Sequence, residues 1–236
     1  LTLWYNMKYL ISILLLLPLS LFAQDSGNDI RKFDLGVNFG LNVSNVLAKN
    51  KDTLFSEDFS PRITGHIGLK LMYQPKPFLS VRSGFNFNIR GYKIKDEVFF
   101  NSSTPSEIET VFSFVYLDIP LVAQFNLATD VENGGIFLRG GGYYGIAIGG
   151  GTAVRTDEDS PRLQTTAQDF TIGNSKSDLL RKQDYGITVG GGLEFRTFEI
   201  ALVWDVGLAN ISNDSSNGFY AQNRLFRIVI VVFALQ

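Results

Sequence analysis

Period-two alternation runs along this chain from residue 33 almost to its end, and no other feature restricts the fold as much. Successive side chains of a strand point to opposite faces, whereas a helix repeats every 3.6 residues. In "FDLGVNFGLNVS" the odd positions Phe33, Leu35, Val37, Phe39, Leu41 and Val43 are apolar, and the even ones are Asp34, Gly36, Asn38, Gly40, Asn42 and Ser44. "ITGHIGLKLMY" (63–73) and "LSVRSGFNFNIRGY" (79–92) repeat the pattern. A fourth segment spans Val111 to Leu127, its apolar face broken only by Ser113. Further strands are expected at Ile136–Gly149, Tyr185–Arg196 and Glu199–Ile211. An eighth, "LFRIVIVVFAL", is apolar on both faces, so its orientation stays open. The 23 glycines and 20 phenylalanines, against 2 methionines, also lean towards strands.

The connections alternate in length. "QPKP", "ATDVENGG" and "RTF" are short, whereas Asn45–Pro61, Lys93–Thr110, Gly150–Asp184 and Ser212–Asn223 are long and polar. Short turns at one end and long loops at the other predict an all-β fold, an eight-stranded antiparallel transmembrane β-barrel with periplasmic turns and extracellular loops. Alternation alone does not say which face points inward, and a soluble barrel of the lipocalin kind would hide its apolar face. Two observations favour the inverse. The polar face is rich in glycine, asparagine and tyrosine and poor in lysine and glutamate, so it makes a poor solvent surface. Eight faces of Leu, Ile, Val and Phe would overfill an interior only just wide enough for side chains. Lipid asks only for apolarity.

Charges on the inward face then need partners, because an isolated buried charge is costly. The acids expected there are Asp34, Asp118, Glu194 and Asp205; the bases are Lys70, Arg82, Arg90, Arg139 and Arg196. The near balance predicts a structural lumen network of ion pairs that fills the barrel, and Asp118→Ala should strand an arginine. The stretch "YLDIPLVAQF" carries Pro120 inside a strand. Proline cannot donate a ladder hydrogen bond, and a closed barrel has no edge to hide it on. A bulge or a locally missing bond is therefore expected at Pro120.

The N-terminus reads as a secretory signal peptide over residues 7–23, with Lys8 before a 14-residue apolar run (9–22) and cleavage after Ala23. Residues 1–6 then lie upstream of the true start, and residues 24–236 form the barrel domain. A spanning helix needs roughly 20 residues. The chain has no cysteine, which removes disulfides, thiolate metal sites and a thiol nucleophile. A net charge of −2 disfavours a general nucleic-acid binder.

No catalytic, cofactor or metal site is expected. His66, the sole histidine, could serve as the base of a lipid-modifying barrel, but such an enzyme needs a serine and a carboxylate near lipid, and His66 is expected in the lumen as a hydrogen-bonded residue. "RGGGYYG" (139–145) resembles a phosphate-cradling loop only superficially, since no helix follows it. The longest loop, Gly150–Asp184, reads equally well as a binding surface or as a mobile hydrophilic cap.

"FDLGVNFGLNVSNV", "LSVRSGFNFNIRGYKI", "YLDIPLVAQFNL" and the glycine-rich "FLRGGGYYGIAIGG" together resemble the PorT-type outer-membrane β-barrel family of the Bacteroidetes. That resemblance covers almost the whole mature chain and implies the outer membrane of a Gram-negative bacterium, with no catalytic motif to carry over. The resemblance transfers fold and location, not a secretion role; the expected function is that of a non-enzymatic structural or interaction protein acting through extracellular loops, an accessory of a secretion or envelope complex being one form this could take. A lipid A deacylase or acyltransferase, or a small pore, is the alternative. Expected partners are outer-membrane lipid and lipopolysaccharide, with proteins reached through the loops, and the barrel is expected to be monomeric.

Overall fold

The computed structural model describes residues 33–50, 53–54, 59–98, 106–127, 134–156, 166–169, 171–173, 175, 178, 180–213 and 219–234. The expected signal peptide (7–23) and residues 1–6 lie outside them, as does much of the longest loop. The strands are β1 (Phe33–Asn50), β2 (Thr53–Leu54), β3 (Phe59–Lys76), β4 (Leu79–Val98), β5 (Ser106–Asn126), β6 (Gly135–Thr156), β7 (Thr166–Asp169), β8 (Gln183–Glu194), β9 (Phe198–Gly207) and β10 (Phe219–Phe233). Eight of them form a closed antiparallel ring in the order β1, β3, β4, β5, β6, β8, β9, β10, and β10 returns to β1 from Gly36↔Phe233 to Asn50↔Phe219. Closure removes the unpaired edges that an open sheet would expose. The short β2 and β7 pair with β1 and β6 at the long-loop end.

Orientation follows from burial. Outward side chains form an apolar band: Leu121 is 63% exposed, Leu202 52% and Trp204 52%, while inward Arg82, Arg90 and Glu199 are at 1%, 0% and 0%. An apolar surface of this extent is stable in lipid and an aggregation hazard in water. On β1 the band runs from Phe33 to Val43, about eleven residues, the length a tilted strand needs to cross a bilayer. Exposed Phe33, Tyr73, Phe78, Phe125 and Phe198 ring its short-turn end, and Phe33 lies 4.8 Å from Tyr73 between centroids. Tyr144 and Tyr185, cross-strand partners, sit towards the other border. Such aromatic girdles mark both interfaces of membrane barrels.

The last strand, ambiguous by pattern, turns Ala221, Asn223, Leu225, Arg227, Val229, Val231 and Phe233 inward and Phe226, Ile228 and Val232 outward. Several strands outrun the sequence-based expectation. β4, β5 and β6 continue about nine residues beyond the band, roughly 30 Å of extended chain, so parts of the expected loops Lys93–Thr110 and Gly150–Asp184 are strand.

At Pro120 the ladder is interrupted on one side only. β4 and β5 pair at Arg82↔Val122 and again at Asn86↔Asp118 in unchanged register, with no pair between, while Pro120 still pairs with Tyr143 of β6. Ser83 Oγ donates to the Pro120 carbonyl at 2.8 Å across the gap, beside Gly84 at φ +147°. The missing bond expected at Pro120 is present, without a bulge. A second irregularity, between Pro61 and His66 of β3, leaves β4 groups short of backbone partners. Side chains supply them: Thr64 Oγ1 and Asn42 Nδ2 donate to the Ile89 carbonyl at 2.6 and 3.3 Å, and Ser44 Oγ accepts from the Gly91 amide at 2.9 Å. Buried backbone groups are thereby satisfied.

Candidate functional site

The inward faces converge on a lumen filled by side chains. Near the short-turn end, Glu199 of β9 accepts hydrogen bonds from Lys70 of β3 at 2.9 Å, from Arg139 of β6 at 2.6 Å and from Arg82 of β4. Arg82 also pairs with Glu194 of β8, which takes a further bond from Gln124 of β5, and its Nε reaches Ser80 Oγ at 3.2 Å. The rings of Phe137 and Phe233 lie 5.9 and 5.8 Å from the Arg82 guanidinium, so its face is covered as well. Six strands are tied together by these few groups. Charge-assisted bonds in so dry a setting are strong, and each partner is costly to remove.

Farther along the lumen, Arg227 of β10 pairs with Asp205 of β9 at 2.8 Å, and a ring nitrogen of His66 lies 2.7 Å from Asn42 Oδ1. Towards the long-loop end, Arg90 of β4 binds both Asp118 of β5 and Asp184 of β8. Asn88 donates to Asp118, and Asn223 and Tyr143 donate to Asp184 at 2.9 and 3.2 Å. Tyr116 and Tyr143 flank the Arg90 guanidinium at 4.6 and 5.0 Å.

Above this polar layer the lumen becomes apolar. Val46, Ala48, Phe114, Tyr116, Ala147 and Ala221 cluster with Leu180 and Ile211, which come from the connections, and Phe59, Tyr92, Phe112, Ile172 and Phe219 pack around them. Leu180 is held by backbone as well as by packing: it bridges Ile172 and Ser212, and the flanking Arg181 amide donates to Ile211 O at 2.8 Å. The described end of the longest connection is thus folded in against the barrel as a cap.

Asp34, His66, Lys70, Arg82, Arg90, Asp118, Glu194 and Asp205 are buried on the inner face, as the pattern predicts, and the Arg139 side chain is 7% exposed. Arg196 is a correction. The strand ends at Glu194, so Arg196 sits in the β8–β9 turn and is exposed. Val111 also departs from expectation: it is 3% exposed, not lipid-facing. Three network members were missed. Glu199 shares the parity of Ala201, Val203 and Asp205 and was legible as inward. Asp184 lay one residue before the expected strand, and Arg227 lay in the segment whose faces look alike. Among the described residues no group of three or more His, Cys, Asp or Glu side chains could hold a metal ion.

The profile of a family described as an outer membrane protein beta-barrel domain matches residues 22–213. No curated protein matches the chain. Among solved structures it is similar to Ail, the attachment invasion locus protein of Yersinia pestis (11% identity, 86% of this chain and 100% of that one, TM-score 0.40). It is also similar to the outer membrane protease OmpT of Escherichia coli (10%, 89% and 98%, 0.41) and to Neisserial surface protein A (8%, 86% and 97%, 0.36). Likenesses this distant carry no argument about activity.

Proposed function

This chain belongs to the outer membrane protein beta-barrel domain family, and from that premise we propose that it is a non-conducting, non-enzymatic interaction protein of a Gram-negative outer membrane. It works through its long-loop end. The observation that carries the reading is the filled lumen: ion pairs occupy the lower and middle levels, and the Leu180–Phe114 cluster closes the level above. A solute path would have to break buried charge pairs at several successive levels. His66 bonds to Asn42 inside the barrel and presents no catalytic group to lipid. The tall β4–β5–β6 wall, extended by β7, offers surface beyond the band on which a partner can dock. The chain's motifs resemble those of the PorT-type barrels of the Bacteroidetes, and a role beside a secretion or envelope complex is consistent with that resemblance.

The test is planar-bilayer recording of the purified, reconstituted barrel, followed by co-purification from native membranes in mild detergent. The expected outcome is no steady single-channel conductance and recovery of a defined protein partner. A reproducible open channel would overturn the filled-lumen reading. An altered lipid A acyl pattern in a deletion strain, reversed by the wild-type chain, would overturn the non-enzymatic one.

A further inference from the structure

On the outer wall, β10 and β1 carry a row of polar side chains directly above the apolar band. The band ends there at Val43 and Phe226, which are cross-strand partners. Above it the outward positions of β10 are Arg224, Gln222 and Tyr220, and Lys49 of β1 stands opposite Tyr220. β9 stops at Gly207, so its ladder with β10 begins only at Arg224↔Val206. Side chains of β10 bond the carbonyls at that end. Arg224 Nη1 donates to Gly207 O at 2.9 Å and to Asn223 O at 3.0 Å, and Gln222 Nε2 and Tyr220 Oη donate to Leu208 O at 3.2 and 2.7 Å. Arg224 Nη2 donates to Gln222 Oε1 at 3.0 Å, and the Lys49 ammonium lies 5.5 Å from the Tyr220 ring centroid. The four side chains are thus fixed beside one another. Arg224 keeps its Nε–H and a second N–H unused, and Lys49 keeps all three of its donors. Among the described residues neither cation is paired with a carboxylate, whereas Lys93 of β4 is already neutralised by Glu109.

Depth decides what these cations meet. Arg224 is two residues beyond Phe226 and Lys49 six beyond Val43, about 7 and 20 Å of strand. At the tilt of a membrane strand these are heights of roughly 5 and 15 Å above the hydrocarbon. The headgroup layer is about 5–8 Å deep on each side. Arg224 therefore lies within it, and the Lys49 stem is long enough to bring its charge down from above. We infer that this row binds a phosphorylated glycolipid of the outer leaflet, with a phosphate of lipid A held by Arg224 and Lys49 and the sugars laid along Tyr220 and Gln222. The inference rests on the outer-membrane reading above, which turns the long-loop end to the leaflet that holds lipopolysaccharide. Acyl chains of the same molecule lie along Phe226 and its partner Trp204 in the band beneath, a contact that free phosphate cannot make. Arginine and lysine suit a phosphate, the first by its planar donors and the second as a point charge.

The experiment titrates the full barrel in detergent with bisphosphorylated lipid A, with the same lipid A after phosphatase treatment, or with phosphatidylglycerol, and counts bound lipid by native mass spectrometry. The phosphorylated lipid A is expected to bind about tenfold more tightly than the dephosphorylated form, the weight of one charged hydrogen bond. Inorganic phosphate should not displace it. The double variant Arg224→Gln, Lys49→Gln should lose the preference, and Lys76→Gln, an exposed lysine at the short-turn end, should keep it. Arg224 also holds the Gly207 carbonyl, so if its replacement prevents folding, Lys49→Gln alone carries the test and should reduce the preference. Equal binding of the two lipid A forms, equally tight binding of phosphatidylglycerol, displacement by inorganic phosphate, or an undiminished preference in the variant that folds would each overturn the assignment. Insertion into phosphatidylcholine vesicles without lipid A, read by heat-modifiable migration, tests the membrane reading separately: a barrel that inserts but shows no preference overturns this inference alone.

Discussion

Replacing Glu199 with glutamine gives the sharpest test of how this lumen is held together. The change keeps the shape of the side chain and removes one charge. Glu199 is fully buried and is the carboxylate shared by Lys70, Arg82 and Arg139. Arg82 keeps Glu194, but among the described ion pairs Lys70 and Arg139 have no second carboxylate. Removing one partner of a buried pair costs about 3–5 kcal/mol, because the other charge is left uncompensated. Two cations are left so here, which puts the loss towards the upper end of that range. A chain of this size loses roughly 2–4 °C per kcal/mol, so the melting temperature should fall by roughly 6–20 °C. Thermal unfolding of the detergent-solubilised barrel, followed by circular dichroism or by its heat-modifiable migration on gels, measures this directly. Glu109→Gln is the control. Its pair with Lys93, at 3.2 Å, has side chains 19% and 28% exposed, and pairs of that kind are worth about 0–1 kcal/mol. The double variant Lys70→Met, Glu199→Gln should lose less than the two single losses added together. If Glu199→Gln melts within about 2 °C of the wild type, roughly the effect of 1 kcal/mol or less, the network is not what stabilises the barrel.

Three further outcomes follow from other parts of the structure. Leu202→Arg, in the middle of the apolar band, should cost about 2–4 kcal/mol when folding into bilayers is measured; a neutral result at this outward position would favour a barrel that faces water. Gly91→Ala should sharply reduce refolding yield, since the residue sits at φ +150° and an added Cβ would come 1.9 Å from the Phe112 carbonyl; normal refolding would show that β4 and β5 have slack there. Leu180→Asp should release the cap without melting the barrel, seen as faster hydrogen exchange at the Arg181 and Ala147 amides, which bond to Ile211 O and Lys182 O; unchanged exchange would mean that packing of Leu180 does not hold this segment.

Much of the architecture was legible because a strand writes its two environments into alternate residues. β1 shows this plainly: Phe33 to Val43 face lipid at odd positions and Asp34 to Ser44 face the lumen at even ones, and parity alone sorts them. Pro120 was legible too, since a missing donor leaves a local mark whatever the partner strand is. What the sequence determined was therefore the strand count, the inside–outside assignment and the burial of eight of the ten expected network residues, with Arg139 nearly so. Pattern failed where both faces carry the same chemistry. Arg227 was hidden in a strand whose lumen face holds Val229, Val231 and Phe233, packed against Phe137, Ala201 and Val203, so its two sides read alike. Arg196 was misplaced because period two continues formally through a turn although the strand has ended. Only the closed barrel decided which charges meet. Arg82 and Glu199 are more than a hundred positions apart, and the register of several strands around the ring sets their contact. The cap depends on the same three-dimensional closure, because Leu180 and Ile211 of the connections meet side chains of several strands that carry no local signal for them.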